Sequence, residues 1–592
     1  MLRLARQRRR DIRNVPADCE WVIAPPHAER DALQRSAGIP PLVAQLLLNR
    51  GIDSADAARA FLQPDFKGLL PPETLPNAVA AGERLAAAAR AGRRIVIYGD
   101  YDVDGVTATA ILWHVLKLCG ARVEYYVPDR LAEGYGLNAD ALEQIAKAGP
   151  ALVITVDCGV TAVPEAARAH ALGLELIITD HHEPRSELPA ALIVHPSALG
   201  PSPNPNLSGA GVALKVAWAV ARAHAGATRV TPEMREFLLD ATALASLGLI
   251  ADVVPLVGEN RIIASYGLRR LKQTQNAGLQ ALLEVAGLTE KSSRVDDYDV
   301  GFLIAPRLNA VGRMGHARLA VELFTEASPA RAAEIAKLLD ARNRERQNVE
   351  RGILKQAEAL VVERGFHRDS CRGIVLASSE WHPGVIGIVA ARLVDRFRRP
   401  TVLIALSNGA GQGSGRSVRH FPLHEVLGAG GQHLVSHGGH ARAAGLRIDA
   451  ARVSAFTDAF LSEAANRLTP ADLRPRLYLD DEVPLGALLP DTVARIDSLA
   501  PFGMGNHRPR LATSIVELAD EPRAVGATGA HLQFTVREGG AHRRAIAFHR
   551  GSRAAELSGV RRLRLAFEPL LNEWNGTRRV ELKVIDWKPG SA

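Results

Sequence analysis

Residues 95–105 read Ile95-Val-Ile-Tyr-Gly-Asp-Tyr-Asp-Val-Asp-Gly105, an apolar run that turns at once into alternating carboxylates. A short apolar run bounded by glycine has the pattern of a buried strand, here delivering Asp100, Asp102 and Asp104 at its carboxyl end. Two further runs repeat the plan. Ala151-Leu-Val-Ile-Thr-Val156 ends in Asp157-Cys158-Gly159, and Leu174-Glu-Leu-Ile-Ile-Thr179 ends in Asp180-His181-His182. Ala-rich segments with helical spacing at 107–119, 139–148 and 163–172 separate them. Strands alternating with helices make βαβ units, and strands apolar on both faces belong to a parallel sheet covered on both sides. The expected fold is therefore α/β, a doubly wound parallel sheet. In such sheets ligands gather beyond the carboxyl ends of the strands, where Asp102, Asp104, Asp157 and His181 would converge.

Carboxylates this close resist ionising together, and a folded chain keeps them mainly when a cation neutralises them. Hard oxygen donors followed by imidazoles suit manganese, magnesium or zinc better than calcium. A further acid, Asp252, interrupts the apolar stretch Leu247-Gly-Leu-Ile-Ala-Asp-Val-Val-Pro-Leu256. An acid there is costly unless paired or metal-bound; a helix cap or a salt bridge is the plainer alternative. Gly413-Ser-Gly-Arg-Ser417 reads as an anion cradle, with glycine amides approaching a phosphate and Ser and Arg adding donors.

Gly-Asp-Tyr-Asp-Val-Asp-Gly, Val-Asp-Cys-Gly, Asp-His-His and Ala-Asp-Val-Val-Pro-Leu resemble the successive motifs of the DHH phosphoesterase superfamily. Ala305-Pro-Arg-Leu-Asn-Ala-Val-Gly-Arg313, Trp381-His-Pro-Gly-Val-Ile-Gly387, Gly413–Ser417, Gly438-Gly-His-Ala-Arg-Ala-Ala-Gly445 and Pro501-Phe-Gly-Met-Gly-Asn506 resemble its single-strand-specific 5′→3′ DNA exonucleases. The likeness spans roughly 40–590. It implies two divalent ions, Mn²⁺ or Mg²⁺, with Asp157 bridging them, Asp102 serving one, and Asp104, His181 and Asp252 the other. It implies that His182 contacts the scissile phosphate or leaving oxygen, that Asp180 orients an imidazole, and that Asp100 is a ligand or orients one. Tyr98 stands where many superfamily members place a histidine. Ser414, Arg416 and Arg130 match residues that hold a 5′-terminal phosphate. Arg307, Asn309 and Arg313 would line the strand's path, and His382 and His440 would touch phosphate. The implied substrate is single-stranded DNA degraded to mononucleotides in repair and recombination, with a single-strand-binding protein and a repair helicase as partners.

At 592 residues the chain needs several cores, and 47% hydrophobic with 23% charged residues is the composition of a soluble globular protein. The basic start Met1-Leu-Arg-Leu-Ala-Arg-Gln-Arg-Arg-Arg10 lacks the apolar core of a secretory signal, and no run is clean enough to span a bilayer. Cys19, Cys119, Cys158 and Cys371 form no disulfide framework; a cytoplasmic monomer is expected. The net charge of +8 is a mild excess, but Arg392, Arg396, Arg398 and Arg399 cluster, as do Arg561, Arg562 and Arg564. The spacings of His420, His424, His433, His437 and His440 match no zinc pattern.

The chain divides into a basic and helical segment at 1–76, the catalytic domain at 77–265, and a helical connector at 266–365. Ser328 and Pro329 open a long helix in that connector. A second, substrate-binding α/β domain at 366–470 and a small β-barrel at 471–592 follow. The resemblance makes the barrel an OB fold and the second domain DHH-associated. A phosphodiesterase for very short oligonucleotides or cyclic dinucleotides has no use for the barrel, nor has an inorganic pyrophosphatase. A catalytically dead binding scaffold has no use for the carboxylates.

Overall fold

Ile95, Val96 and Ile97 are sealed between helices on both faces, and the strand Arg94–Gly99 sits inside a five-stranded, all-parallel sheet. Across that sheet the strands run Arg122–Tyr126, Arg94–Gly99, Leu152–Val156, Glu175–Thr179, Leu192–Val194. The chain thus winds one way from Arg94–Gly99 and then the other, and the switch point lies between it and Leu152–Val156. The computed structural model describes residues 19–128, 133–134, 136–290, 294–313, 317–574 and 577–590. Among them no helix is long and apolar enough to cross a membrane.

Helices Ala78–Arg90, Val103–Leu118 and Gly209–Ala225 cover one face of the sheet, and Pro232–Asp252 packs over the last two. Their apolar cluster runs from Leu75 through the connector helices to Leu339, so the connector packs on the catalytic sheet's own helices. Pro329–Glu363 is a single 35-residue helix capped by Ser328, whose Oγ accepts from the Arg331 amide. At 1.5 Å per residue it extends about 50 Å and carries the chain to the second lobe. There Ile374–Ser378, Thr401–Ser407, Ala410–Arg416, Ala443–Asp449 and Ser436–His440 form a mixed sheet backed by the helix Pro383–Phe397.

In the last region Arg562–Trp574, Val516–Leu518, His531–Glu538, Ala541–Ala547 and Thr577–Pro589 pair in a ring that closes on itself, the five-stranded barrel of an OB fold. Phe534 and Trp587 fill its interior at 2% and 4% exposure, which removes them as surfaces for stacking bases. The N-terminal helices share the barrel's core through Leu46, Leu47 and Phe61, and Glu20–Ile23 pairs in parallel with Arg476–Leu479. Arg261 ties the units together. Its buried guanidinium donates to the carbonyls of Phe61 and of Ser498, Leu499, Ala500 and Pro501. Much of the arginine cluster at 392–399 is engaged within the chain: Arg392 pairs with Glu350 and Arg396 with Glu358 at the surface, and buried Arg399 donates to four carbonyls.

Candidate metal centre

The three strand ends on either side of the switch point deliver the cluster. Asp102 caps Val103–Leu118, its Oδ1 accepting from the amides of Asp104 at 2.9 Å and Gly105 at 3.1 Å. Asp104 lies inside that helix and reaches the N-terminus of another. Its Oδ2 accepts from the Gly209 amide at 2.6 Å and its Oδ1 from Ala210 at 3.0 Å, where the dipole of Gly209–Ala225 favours negative charge. Asp157 ends its strand by turning left-handed, with φ of 64°. Val253, directly after Asp252 at the end of Pro232–Asp252, has φ of 66°. Such conformations cost on the order of 1–3 kcal/mol for a residue with a Cβ, and both flank the same cluster.

His181 stands at the centre. Its Nε2 lies 3.1 Å from Asp157 Oδ1 and 3.7 Å from both Asp104 Oδ2 and Asp252 Oδ2. Potential ligand atoms of Asp104, His181 and Asp252 fall within 4.8 Å of one another, as do those of Asp100, Asp102 and Asp157, and of Asp157, His181 and His182. Burial, then the neighbouring carboxylates, push the carboxyls of Asp104 and Asp157 well above the usual range. Held this way they would keep protons unless a cation took their place, and the donor set of carboxylates and imidazoles fits a hard divalent ion. Burial keeps His181 below its ordinary pKa, in the neutral form that ligates.

Asp180 is fully engaged. Its Oδ2 accepts from the Val160 amide at 2.9 Å; its Oδ1 accepts from the amides of His181 and His182 and lies 2.8 Å from His182 Nδ1. Burial would raise this carboxyl, but the His182 contact outweighs it and holds it well below the usual range. Burial would lower His182, yet the same contact lifts it to about 9. Asp180 thus fixes Nδ1 of a ring whose side chain is 35% exposed. Tyr98 faces away from the acids: its hydroxyl donates to the Gly136 carbonyl at 3.0 Å and its ring stacks on Tyr126.

Glycines that sequence reasoning passed over set the close approach. A Cβ on Gly209 would fall 2.6 Å from Asp157 Oδ1, and one on Gly105 2.6 Å from Asp100 Cβ. Gly248 faces Asp104 in the same way. The backbone donors at Gly209 and Ala210 were also missed; Ser208 as a helix cap before them was the available signal.

In the second lobe, Gly413–Ser417 is not a nest of free amides. Ala410–Arg416 is a central strand paired on both sides, so its amides are committed to the sheet, and its glycines admit neighbours such as Leu446 and Leu423. The side chains of Ser414 and Arg416 remain together, Arg416 Nη1 donating to Ser414 Oγ at 2.8 Å. They face Gly387, where a Cβ would come 2.7 Å from Ser414 Oγ and 2.8 Å from Arg416 Nη2. His382 caps Pro383–Phe397, its Nδ1 accepting from the Gly384 amide. His440 reaches across to the catalytic lobe, 3.7 Å from Glu183. Asn309 and Arg313 line a cleft of about 500 Å³ beside Asp252, with Arg313 also donating to the Gly384 carbonyl. Arg307 is held instead by Asp340 and the Leu303 carbonyl. Arg130 lies outside the described residues. Among the described residues the histidines from 420 to 440 form no metal-sized group.

Family models match three parts of the chain: the DHH family, N-terminal domain at 94–245, the DHHA1 domain at 371–466 and the RecJ OB domain at 479–586. The single-stranded-DNA-specific exonuclease RecJ of Bacillus subtilis is 38% identical over 571 residues, covering 96% of this chain and 70% of that protein. Its Escherichia coli counterpart is 32% identical over 568 residues, covering 93% and 96%. The crystal structure of Thermus thermophilus RecJ in complex with Mn²⁺ superposes with a TM-score of 0.82 at 32% identity, over 98% of this chain and 81% of that one.

Proposed function

The chain belongs to the RecJ family, and from that premise we propose that it hydrolyses single-stranded DNA from the 5′ end to mononucleotides, using divalent ions held around Asp157. One observation carries the chemistry: Asp104, Asp157, His181 and Asp252 converge at the switch point of a parallel sheet. Asp157 would serve both ions, with Asp104, His181 and Asp252 able to hold one and Asp100 and Asp102 the other. Two such ions, Mn²⁺ or Mg²⁺, supply an activated water, charge stabilisation at phosphorus and help for the leaving alkoxide.

The protein's own groups do the positioning. His182, oriented by Asp180 through Nδ1, offers its outer nitrogen to the scissile phosphate or leaving oxygen. Ser414 and Arg416 hold the 5′-terminal phosphate, a bidentate and charge-assisted contact, with Arg130 as a third donor. His382 and His440 meet phosphates nearer the cluster, and Asn309 and Arg313 flank the incoming strand with Arg307 behind them. The segments at 1–76, 77–265, 266–365, 366–470 and 471–592 act as N-terminal support, catalytic domain, connector, end-binding lobe and strand-binding barrel. The setting is cytoplasmic repair and recombination, where a helicase and a single-strand-binding protein present the strand to a monomeric enzyme.

Purified protein incubated with Mn²⁺ or Mg²⁺ and strands labelled at either end tests all of this. Labelled mononucleotide should appear first from the 5′ label on single strands, with duplex, dinucleotide and pyrophosphate arms far slower. Release beginning at the 3′ end would overturn the direction while leaving the metal centre standing. Preference for the dinucleotide would assign the chain to short substrates.

A further inference from the structure

Single-strand binding draws on aromatic rings that stack unpaired bases, and the barrel keeps Phe534 and Trp587 in its core. An aromatic shelf stands elsewhere. Tyr298 is 41% exposed, and its ring stacks on Phe302 with centroids 4.6 Å apart and planes 26° from parallel. The two residues lie four apart, across the start of the π-helical turn Val300–Ile304. Such turns are rare within helices and recur at functional sites. The shelf is braced: Asp296 and Asp299 cap each other's backbone, and Asp297 Oδ1 accepts from the Phe502 amide at 3.0 Å.

Both rings line the 500 Å³ cleft, which also holds Arg313 and Arg351, while Arg346 and Arg392 in its wall pair with Glu350. The cleft wall includes Ala251 and Val253, the neighbours of Asp252 on either side. A flat aromatic face near arginines, in a cleft whose wall adjoins Asp252, fits a base splayed out from a phosphate backbone.

We propose that Tyr298, backed by Phe302, stacks one unpaired base of the strand on its way to the metal centre, and so selects single strands over duplex. A paired base has both faces occupied by its neighbours and cannot lie on the shelf. The proposal rests on the nuclease function above and adds a specificity residue to it.

Single-turnover cleavage of strands carrying one abasic residue, moved stepwise from the 5′ end, tests the shelf. Wild type should slow by about tenfold with the gap at one position. Tyr298→Ala should lose about tenfold in kcat/KM on intact strands, through KM, and should no longer distinguish that position. Tyr298→Phe should keep the wild-type profile, which separates stacking from a general defect in folding. A binding arm needs no cleavage: the metal-free wild type should quench a strand carrying 2-aminopurine at that position, and Tyr298→Ala should not. Cleavage of single strands with an unchanged abasic profile and unchanged quenching in Tyr298→Ala would overturn the shelf alone. Absence of wild-type cleavage with quenching intact would instead overturn the nuclease function.

Discussion

Replacing Gly209 by alanine adds one methyl group beside the Asp157 carboxylate and nothing else. That methyl would sit 2.6 Å from Asp157 Oδ1 and 2.7 Å from its Cβ and Cγ, nearly 1 Å inside optimal contact. The neighbour is a buried carboxylate on a left-handed residue, with little freedom to yield. For stability the effects oppose: alanine in a helix gains up to about 1 kcal/mol over glycine, while overpacking costs roughly 1–3 kcal/mol. The fold should therefore lose no more than about 3 kcal/mol. Catalysis is less forgiving, since a misplacement near 1 Å costs about 100-fold, or roughly 2.7 kcal/mol of barrier. The assay pairs kcat/KM on a labelled single strand with thermal melting, for Gly209→Ala and for Gly352→Ala. Gly352 lies exposed in Pro329–Glu363 with nothing within 4 Å of an added Cβ, so that variant should melt slightly higher and cleave normally. Gly209→Ala cleaving within threefold of wild type would refute the packing argument.

Asp180→Asn should lower kcat by roughly 10- to 100-fold and move the titration of His182 down from about 9, so that the alkaline fall in activity begins at lower pH; NMR of the imidazole reports the shift directly. An unmoved titration would show that other carboxylates hold the proton. Arg416→Ala should erase the preference for a 5′-phosphate over a 5′-hydroxyl, worth about 1.5–3 kcal/mol and seen mainly in binding; equal losses on both ends would make Arg416 structural. Deleting the barrel would strip the N-terminal helices of their shared core, so the cleaner probe of strand binding is the exposed pair Arg523 and Arg579. Changing both to glutamate should weaken long-strand binding and flatten its salt dependence by about 1.4 in log–log slope if each meets one phosphate. A slope unchanged from wild type would move the strand to another face.

The sheet was legible because Ile95–Ile97, Ala151–Val156 and Leu174–Thr179 are buried on both faces and carry their acids at the same end. The edge strands were not legible: Arg122–Tyr126 mixes charged and apolar residues on a half-buried edge, and Leu192–Val194, though apolar, is only three residues long. The long helix announced itself through its Ser328 cap, its opening Pro329 and the absence of any proline after it. Gly413–Ser417 misled because a glycine-rich string reads alike whether its amides face a phosphate or a neighbouring strand; only pairing partners far along the chain decide between them. Gly209 and Gly248 were invisible as site residues because their contribution is the absence of a side chain, and their partners Asp157 and Asp104 are distant in sequence.

Removing the carboxylate at the centre of the cluster tests the metal-dependent chemistry most directly. Asp157→Ala and wild type are compared on a 5′-labelled single strand over a full range of Mn²⁺, with strand affinity measured alongside. Wild-type cleavage should require the ion, and Asp157→Ala should fall at least ~1000-fold at saturating metal while still binding the strand. A variant that keeps more than a tenth of wild-type turnover would remove Asp157, and the centre built around it, from the reaction.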